Sequence, residues 1–354
     1  MEVKLWVIRG VYMNFDRVLI IAEAGVNHNG DIEKAIELID VASKAGVDIV
    51  KFQTFKADKI VSKAAKKAKY QSKNVDNEDD SQYNMLKSLE LSEKDHQILI
   101  KECQKRNIQF LSTAFDVEGI GFLNQFDLPF YKSPSGEITN YPYLKCLAQT
   151  GKPVVLSTGM ADMHEIESAL IVLTDYGLTK NDIVVLHCNT EYPTPMRDVN
   201  LRAMNSIGER FEVQIGYSDH TLGIEVPVAA VALGAQIIEK HFTLDRSLPG
   251  PDHRASLEPE ELKEMVVAIR NIEKAISGNG KKEPSPSEVE NKQVARKSIH
   301  TTRAIKEGEI LNEEDLISLR PGNGISPMKW KDIVGKAVNR AYEAMEILTW
   351  DSLE

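Results

Sequence analysis

Residues 18–52 read VLIIAEAGVNHNGDIEKAIELIDVASKAGVDIVKF. An aliphatic run at 18–23 gives way to a stretch opening at Asp31, in which Ile32, Ala35, Ile36, Ile39 and Ala42 recur at helical spacing. That stretch stops at Gly46, a residue suited to the left-handed turn that ends helices. A second aliphatic run follows at 47–52. Continuous rather than alternating apolarity marks a strand covered on both faces, so the segment reads as strand, helix and parallel strand.

The unit repeats along the chain. Similar runs stand at 108–112 (IQFLS), 128–132 (LPFYK), 153–157 (PVVLS), 183–187 (IVVLH), 212–216 (EVQIG) and 236–241 (QIIEKH). Helical patterns lie between or after them at 92–106, 117–125, 141–149, 163–176, 199–208, 223–233 and 258–276. The stretch Ser92-Glu93-Lys94-Asp95 resembles a capping box. Eight strands alternating with eight helices is the count of an α/β protein of the (β/α)8 TIM-barrel class. A doubly wound open sheet is the runner-up, but no GxGxxG turn follows the first strand.

A barrel keeps its chemistry at the C-terminal ends of its strands. Those ends carry Glu23, Lys51 with Gln53, Thr113, Lys132 with Ser135 and Glu137, and Ser157 with Thr158. The later strands add His187 with Asn189, Ser218 with His220, and His241. The strand starts carry few such groups.

Composition bounds the rest. With 43 basic against 53 acidic residues in 354, the net charge of −10 argues against a general nucleic-acid or membrane-surface binder. Three separated cysteines, Cys103, Cys146 and Cys188, make neither a disulfide framework nor a CxxC metal pattern, which points to a reducing cytoplasm. No apolar run reaches the ~18 residues of a membrane span. Residues 1–16 read as an N-terminal extension without a cleavable signal, with Met13 as a second candidate start. The barrel is expected over 17–276, a Gly/Pro/Ser-rich linker over 277–293, and a small, irregular, β-rich domain over 294–354. The polar segment 63–90 reads as a long loop of the kind that covers a substrate.

His220 and His241 close the seventh and eighth strands, neighbours in a closed barrel. Two imidazoles can hold one divalent ion and leave positions open for water and substrate; a hydrogen-bonded rim pair is the competing reading. Lys51 and Lys132 each end an apolar strand, where an ammonium needs a partner. Together with the hydroxyls of Thr113, Ser135 and Ser218 they suit a phosphate, and singly each suits a salt bridge to Glu23 or Glu137. Glu23 serves equally as base, metal ligand or partner of Lys51. Asn27, His28 and Asn29 read as shaping the strand-to-helix turn, Ser157-Thr158-Gly159 as an anion cradle or a helix cap, and Cys188 as a small buried apolar group. These residues describe a metal-assisted barrel enzyme acting on a phosphate-bearing substrate. They do not choose among aldol addition, isomerisation and phosphate-ester chemistry.

The ordered strings IAEAGVNHNG, VKFQTFKADKIV, SPSGEITNYPYL, LSTGM, LHCNTEYPTP, GYSDHTLG, EKHFTLD with PGPDH, and RPGNGISP resemble the sialic acid synthase family from about residue 18 to the C-terminus. The resemblance implies a transferase that joins phosphoenolpyruvate to an N-acylated mannose-type sugar. It implies a barrel followed by a domain similar to type III antifreeze proteins (a SAF domain), in a domain-swapped homodimer. By it, His220 and His241 bind a metal, usually Mn2+, with Mg2+ or Co2+ as substitutes. Lys51, Thr113, Lys132, Ser135, Asn189 or Thr190, and Ser218 contact phosphoenolpyruvate. Glu23 matches the family's essential carboxylate. Gln53, Glu137, Tyr192 and Asp252 face the sugar, and Arg320 is inserted by the partner subunit. Ala114 stands where a proline is common, and position 190 is Asn in some members. The leading reading of the sugar is N-acetylmannosamine, giving N-acetylneuraminate. The alternative is 2,4-diacetamido-2,4,6-trideoxymannose, giving N,N'-diacetyllegionaminate. A non-catalytic binding protein and a phosphosugar isomerase or aldolase are the remote readings.

Overall fold

The computed structural model describes residues 16–75 and 79–353; the expected N-terminal extension lies outside them, apart from Asp16. Eight parallel strands run β1 Leu19–Gly25, β2 Ile49–Thr54, β3 Gln109–Ala114, β4 Tyr131–Ser133, β5 Val154–Ser157, β6 Ile183–Cys188, β7 Gln214–Asp219 and β8 Ile237–His241. They are hydrogen-bonded in the order β3-β2-β1-β8-β7-β6-β5-β4. Strands β3 and β4, at the two ends of that order, lie side by side, so the sheet comes round on itself as the expected barrel. Every residue of β1 and of β8 is buried, as unbroken aliphatic runs require.

The covering helices start and stop where local chemistry says they should. In helix Ile32–Ala45 the Asp31 carboxylate accepts from the N–H of Glu33, and Gly46 ends it at φ 81°. Helix Glu93–Lys105 opens with the expected box, Ser92 and Asp95 exchanging hydrogen bonds. The other covering helices are Val117–Leu123, Tyr141–Gln149, Met163–Asp175, Arg202–Phe211, Glu225–Ala232 and Pro259–Ile276. At the strand-start end, the Asp48 carboxylate accepts from the N–H of Ile20 at 2.8 Å and from Arg270 at 2.7 Å, tying β1 to the last barrel helix.

Two stretches hold more structure than their composition suggests. The segment after β2 contains three short helices, Ala57–Ile60, Lys69–Asn74 and Gln82–Ser88. They are too short and polar to announce themselves, and are held by an apolar cluster of Val26, Phe55, Met85 and Leu89. The expected linker also contains part of a helix, Pro286–Ala295: Ser285 and Glu288 form a capping box around a proline at the first turn.

The chain divides after Ser277 into two compact units. In the second, β9 Ser298–Thr301 pairs antiparallel with β10 Leu316–Leu319. Short bridges such as Ile305 with Tyr342 and Val338 with Leu353 complete it around a core that includes Ile299, Leu311, Ile333 and Leu348. This is the small β-rich domain expected from the turns in its sequence.

Candidate active site

Because successive residues of a strand face opposite ways, the alternate residues at the strand ends point into the barrel mouth. Lys51 of β2 sits beside Glu23 of β1, Nζ to Oε2 at 2.5 Å, and donates to the Thr113 hydroxyl of β3 at 2.7 Å. Gln53 donates to the other Glu23 oxygen at 3.3 Å. Lys132 of β4 donates to the Ser157 hydroxyl of β5 at 2.7 Å and to the Ser133 carbonyl at 3.2 Å. Both lysines, expected to end their strands, lie within them and are at least 96% buried.

One carboxylate joins them. Glu239 of β8 lies 3.5 Å from Lys51 through Oε2 and 3.5 Å from Lys132 through Oε1, and accepts the Ser218 hydroxyl at 2.7 Å. Lys132 therefore pairs with Glu239, and the expected partner Glu137 is held elsewhere, accepting from Asn140 at 2.5 Å. Burial disfavours ionised Glu239, yet the two ammonium groups overcome it and hold the carboxyl down at about 2. Burial raises Glu23 to about 6 against the pull of Lys51. Two lysines facing each other across one carboxylate are a site prepared for an anion.

A second group adjoins the first. The N–H of Gly159 donates to the Ser135 hydroxyl at 2.9 Å, and Ser135 lies 3.2 Å from the Cys188 sulfur. A Cβ at Gly159 would lie 2.6 Å from Thr190 Cγ2 and 2.8 Å from Ser135 Oγ, so the glycine leaves room for these side chains to meet beside Cys188. Asn189 turns its side chain into its own loop, accepting from the N–H of Glu191 at 2.8 Å.

His220 and His241 stand together, ring centres 5.3 Å apart. Tyr192 lies against His220, ring centres 4.1 Å apart and tilted by 31°, and meets His241 edge-on at 5.5 Å. His220 Nδ1 bonds the Asn189 carbonyl at 2.5 Å; that oxygen only accepts, so Nδ1 carries the proton and Nε2 keeps its lone pair. Burial holds His220 down to about 4, and burial, with His220 beside it, holds His241 well below the usual imidazole range. Both rings are thus neutral near pH 7, the form that binds metals. His241 Nδ1 is buried without a hydrogen-bond partner, with Asp252 Oδ2 at 3.8 Å. Burial, and then Glu23, raises Asp252 to about 7. Among the described residues no cluster of three or more His, Cys, Asp or Glu forms a ready cage. The donors fit a divalent cation held at two points, the remaining positions left to water and substrate.

The comparisons with known proteins agree with this geometry. Residues 38–282 match the NeuB family and residues 296–354 match the SAF domain. The chain belongs to the NeuB family. An N,N'-diacetyllegionaminic acid synthase of Campylobacter jejuni is 52% identical over 94% of this chain and 99% of its own. A protein of the same name from Legionella pneumophila is 48% identical over 95% and 94%. Among solved structures, an N-acetylneuraminic acid (sialic acid) synthetase from Leptospira borgpetersenii, crystallised with citrate, is 37% identical with a TM-score of 0.67, over 78% of this chain and 90% of that one.

In this NeuB-family barrel the sequence reading missed two residues. Glu239 was visible only as a neighbour of His241, because its partners lie on three other strands. Asn74, on the short helix Lys69–Asn74, donates to the Pro251 carbonyl at 2.7 Å and the Tyr192 carbonyl at 3.4 Å. It ties the covering segment to the loops bearing Tyr192 and Asp252, and nothing in its local sequence announces this. Arg320, in the second unit, which matches the SAF domain, is exposed and donates through Nε to the Ala295 carbonyl at 3.1 Å.

Proposed function

We propose that this chain condenses phosphoenolpyruvate with 2,4-diacetamido-2,4,6-trideoxymannose, giving N,N'-diacetyllegionaminate and phosphate. The observation that carries the choice of sugar is the 52% and 48% identity, over nearly full length, to two proteins named as synthases of that product. The motifs are shared by synthases of both sugars, and N-acetylmannosamine is the leading expectation from the sequence; the lower identity, 37%, to the sialic acid synthetase moves the balance to the diacetamido sugar.

Lys51 and Lys132 bind the phosphate, with Glu239 kept beside them as a counter-charge and Thr113, Ser135, Thr190, Asn189 and Ser218 lining the same end. Their charges are in place before substrate arrives, so no reorganisation is needed as the reaction proceeds. C3 of phosphoenolpyruvate adds to the aldehyde carbon of the open-chain sugar, leaving a cationic centre at C2. Water adds there, and the resulting tetrahedral carbon loses phosphate by C–O cleavage. Glu23, raised to about 6, suits moving a proton near neutral pH, and Lys51 fixes its direction. Gln53, Glu137, Tyr192 and Asp252 hold the sugar. A divalent cation on His220 and His241, Mn2+ by preference with Mg2+ or Co2+ as substitutes, would supply Lewis-acid polarisation of the aldehyde oxygen. The working form is a domain-swapped homodimer in the cytoplasm, in which Arg320 of each subunit meets the sugar in the other's site.

Phosphate release with Mn2+ tests the choice of sugar directly. The diacetamido sugar should exceed N-acetylmannosamine in kcat/KM by roughly tenfold or more, about 1.4 kcal/mol. A preference for N-acetylmannosamine would return the protein to neuraminate synthesis with every residue assignment intact.

A further inference from the structure

Two histidines sharing one cation need a fixed separation, yet the pairing between their two strands stops just before them, His241 being held in register only with Glu23 of β1. The last matched pair between β7 and β8 is Asp219 with Lys240, immediately before His220 and His241. On the inner face, the preceding pair is bridged by the Ser218–Glu239 hydrogen bond. Asp219 and Lys240, one residue further on, face the opposite way. There Lys240 Nζ lies 2.5 Å from Asp219 Oδ2 and also donates to the Thr221 carbonyl. The Asp219 carboxylate in turn accepts the Thr221 hydroxyl at 2.9 Å and its N–H at 3.2 Å. A single ammonium thus grips the residues on either side of His220, while its own next neighbour is His241.

Asp219, Lys240 and Thr221 are all completely buried. A buried ion pair is a poor source of stability, since an apolar pair of similar size usually serves as well. What it supplies is direction: an ammonium with two fixed oxygen partners allows one arrangement of the chain around it. We propose that Asp219 and Lys240 are positioning residues that set the separation of His220 and His241 for a shared divalent cation. The proposal rests on the two-histidine reading of the cation site given above.

The test measures Mn2+ binding to the full-length, EDTA-stripped protein by electron paramagnetic resonance, alongside thermal unfolding without metal. Lys240→Met alone strands a buried carboxylate and can fail to fold. The informative variant is therefore Asp219→Asn with Lys240→Met, which removes both charges and keeps an acceptor for Thr221. His220→Ala serves as the control. The double variant should unfold within a few degrees of the wild type yet bind Mn2+ at least tenfold more weakly, with an altered spectrum. Wild-type Mn2+ affinity in the double variant, beside a defective His220→Ala, would overturn the positioning role alone. So would a double variant that does not fold, since the pair would then be holding the barrel. No Mn2+ binding by the wild type, or normal binding by His220→Ala, would remove the two-histidine reading and this proposal together.

Discussion

Glu23 and Glu239 are both buried carboxylates among lysines, and their surroundings push them apart. Glu239, between two ammonium groups, is held at about 2, while Glu23 rises to about 6. The first is a fixed counter-charge and the second a group that can exchange a proton. Glu23→Gln should leave the fold intact and nearly abolish turnover; a rate above roughly a tenth of wild type, a loss of only ~1.4 kcal/mol, would contradict its role. Glu239→Gln keeps the acceptor for Ser218 but takes from Lys132 its carboxylate partner, while Lys51 keeps Glu23; removing one partner of a buried pair costs about 3–5 kcal/mol. The cation-free variant should melt lower, and inorganic phosphate should raise its melting temperature by more than it raises that of the wild type. Equal shifts would mean that the lysines do not receive the phosphate.

At the scale of elements, the strands and their helices were legible because most strands are buried on both faces and so read as aliphatic runs, as β1, β5 and β6 do. The polar residues at the strand ends were legible for the complementary reason, that they interrupt such runs. Register was not legible, and so neither was Glu239, whose partners depend on how β7, β8, β2 and β4 align. The short helices of the covering segment were hidden because Met85 and Leu89 gain their apolar partners, Val26 and Phe55, only in the fold. The turn after β1 yields a pH prediction. His28 is fully buried there, its Nδ1 accepting from the N–H of Gly30 at 2.9 Å. Burial, with His96 nearby, lowers it from 6.5 to about 4. The unfolded chain therefore binds a proton that the folded chain refuses, and stability falls as the pH drops from 6.5 towards 4, by up to about 3 kcal/mol for this residue. His28→Asn retains an acceptor for Gly30, so its urea midpoint should fall less steeply across that window. An unchanged slope would show that His28 is not the group responsible.

For the whole molecule, the NeuB-family match covers the barrel that holds the candidate site, and the SAF match covers the β-rich unit that holds Arg320. Among the described residues no helix is long and apolar enough to cross a membrane. If the partner's arginine completes the sugar site, Arg320→Ala should raise the sugar KM severalfold and leave the phosphoenolpyruvate KM nearly unchanged. Unaltered sugar kinetics would dissociate the second unit from catalysis. The central claim, that the lysine-lined mouth of this barrel joins phosphoenolpyruvate to the diacetamido sugar by C–O cleavage, is tested by labelling the bridging oxygen of phosphoenolpyruvate with 18O. With Mn2+ and the diacetamido sugar, mass spectrometry should find a nine-carbon acid and phosphate that retains the label. Unlabelled phosphate, or no nine-carbon acid from a folded, metal-loaded protein, would contradict it.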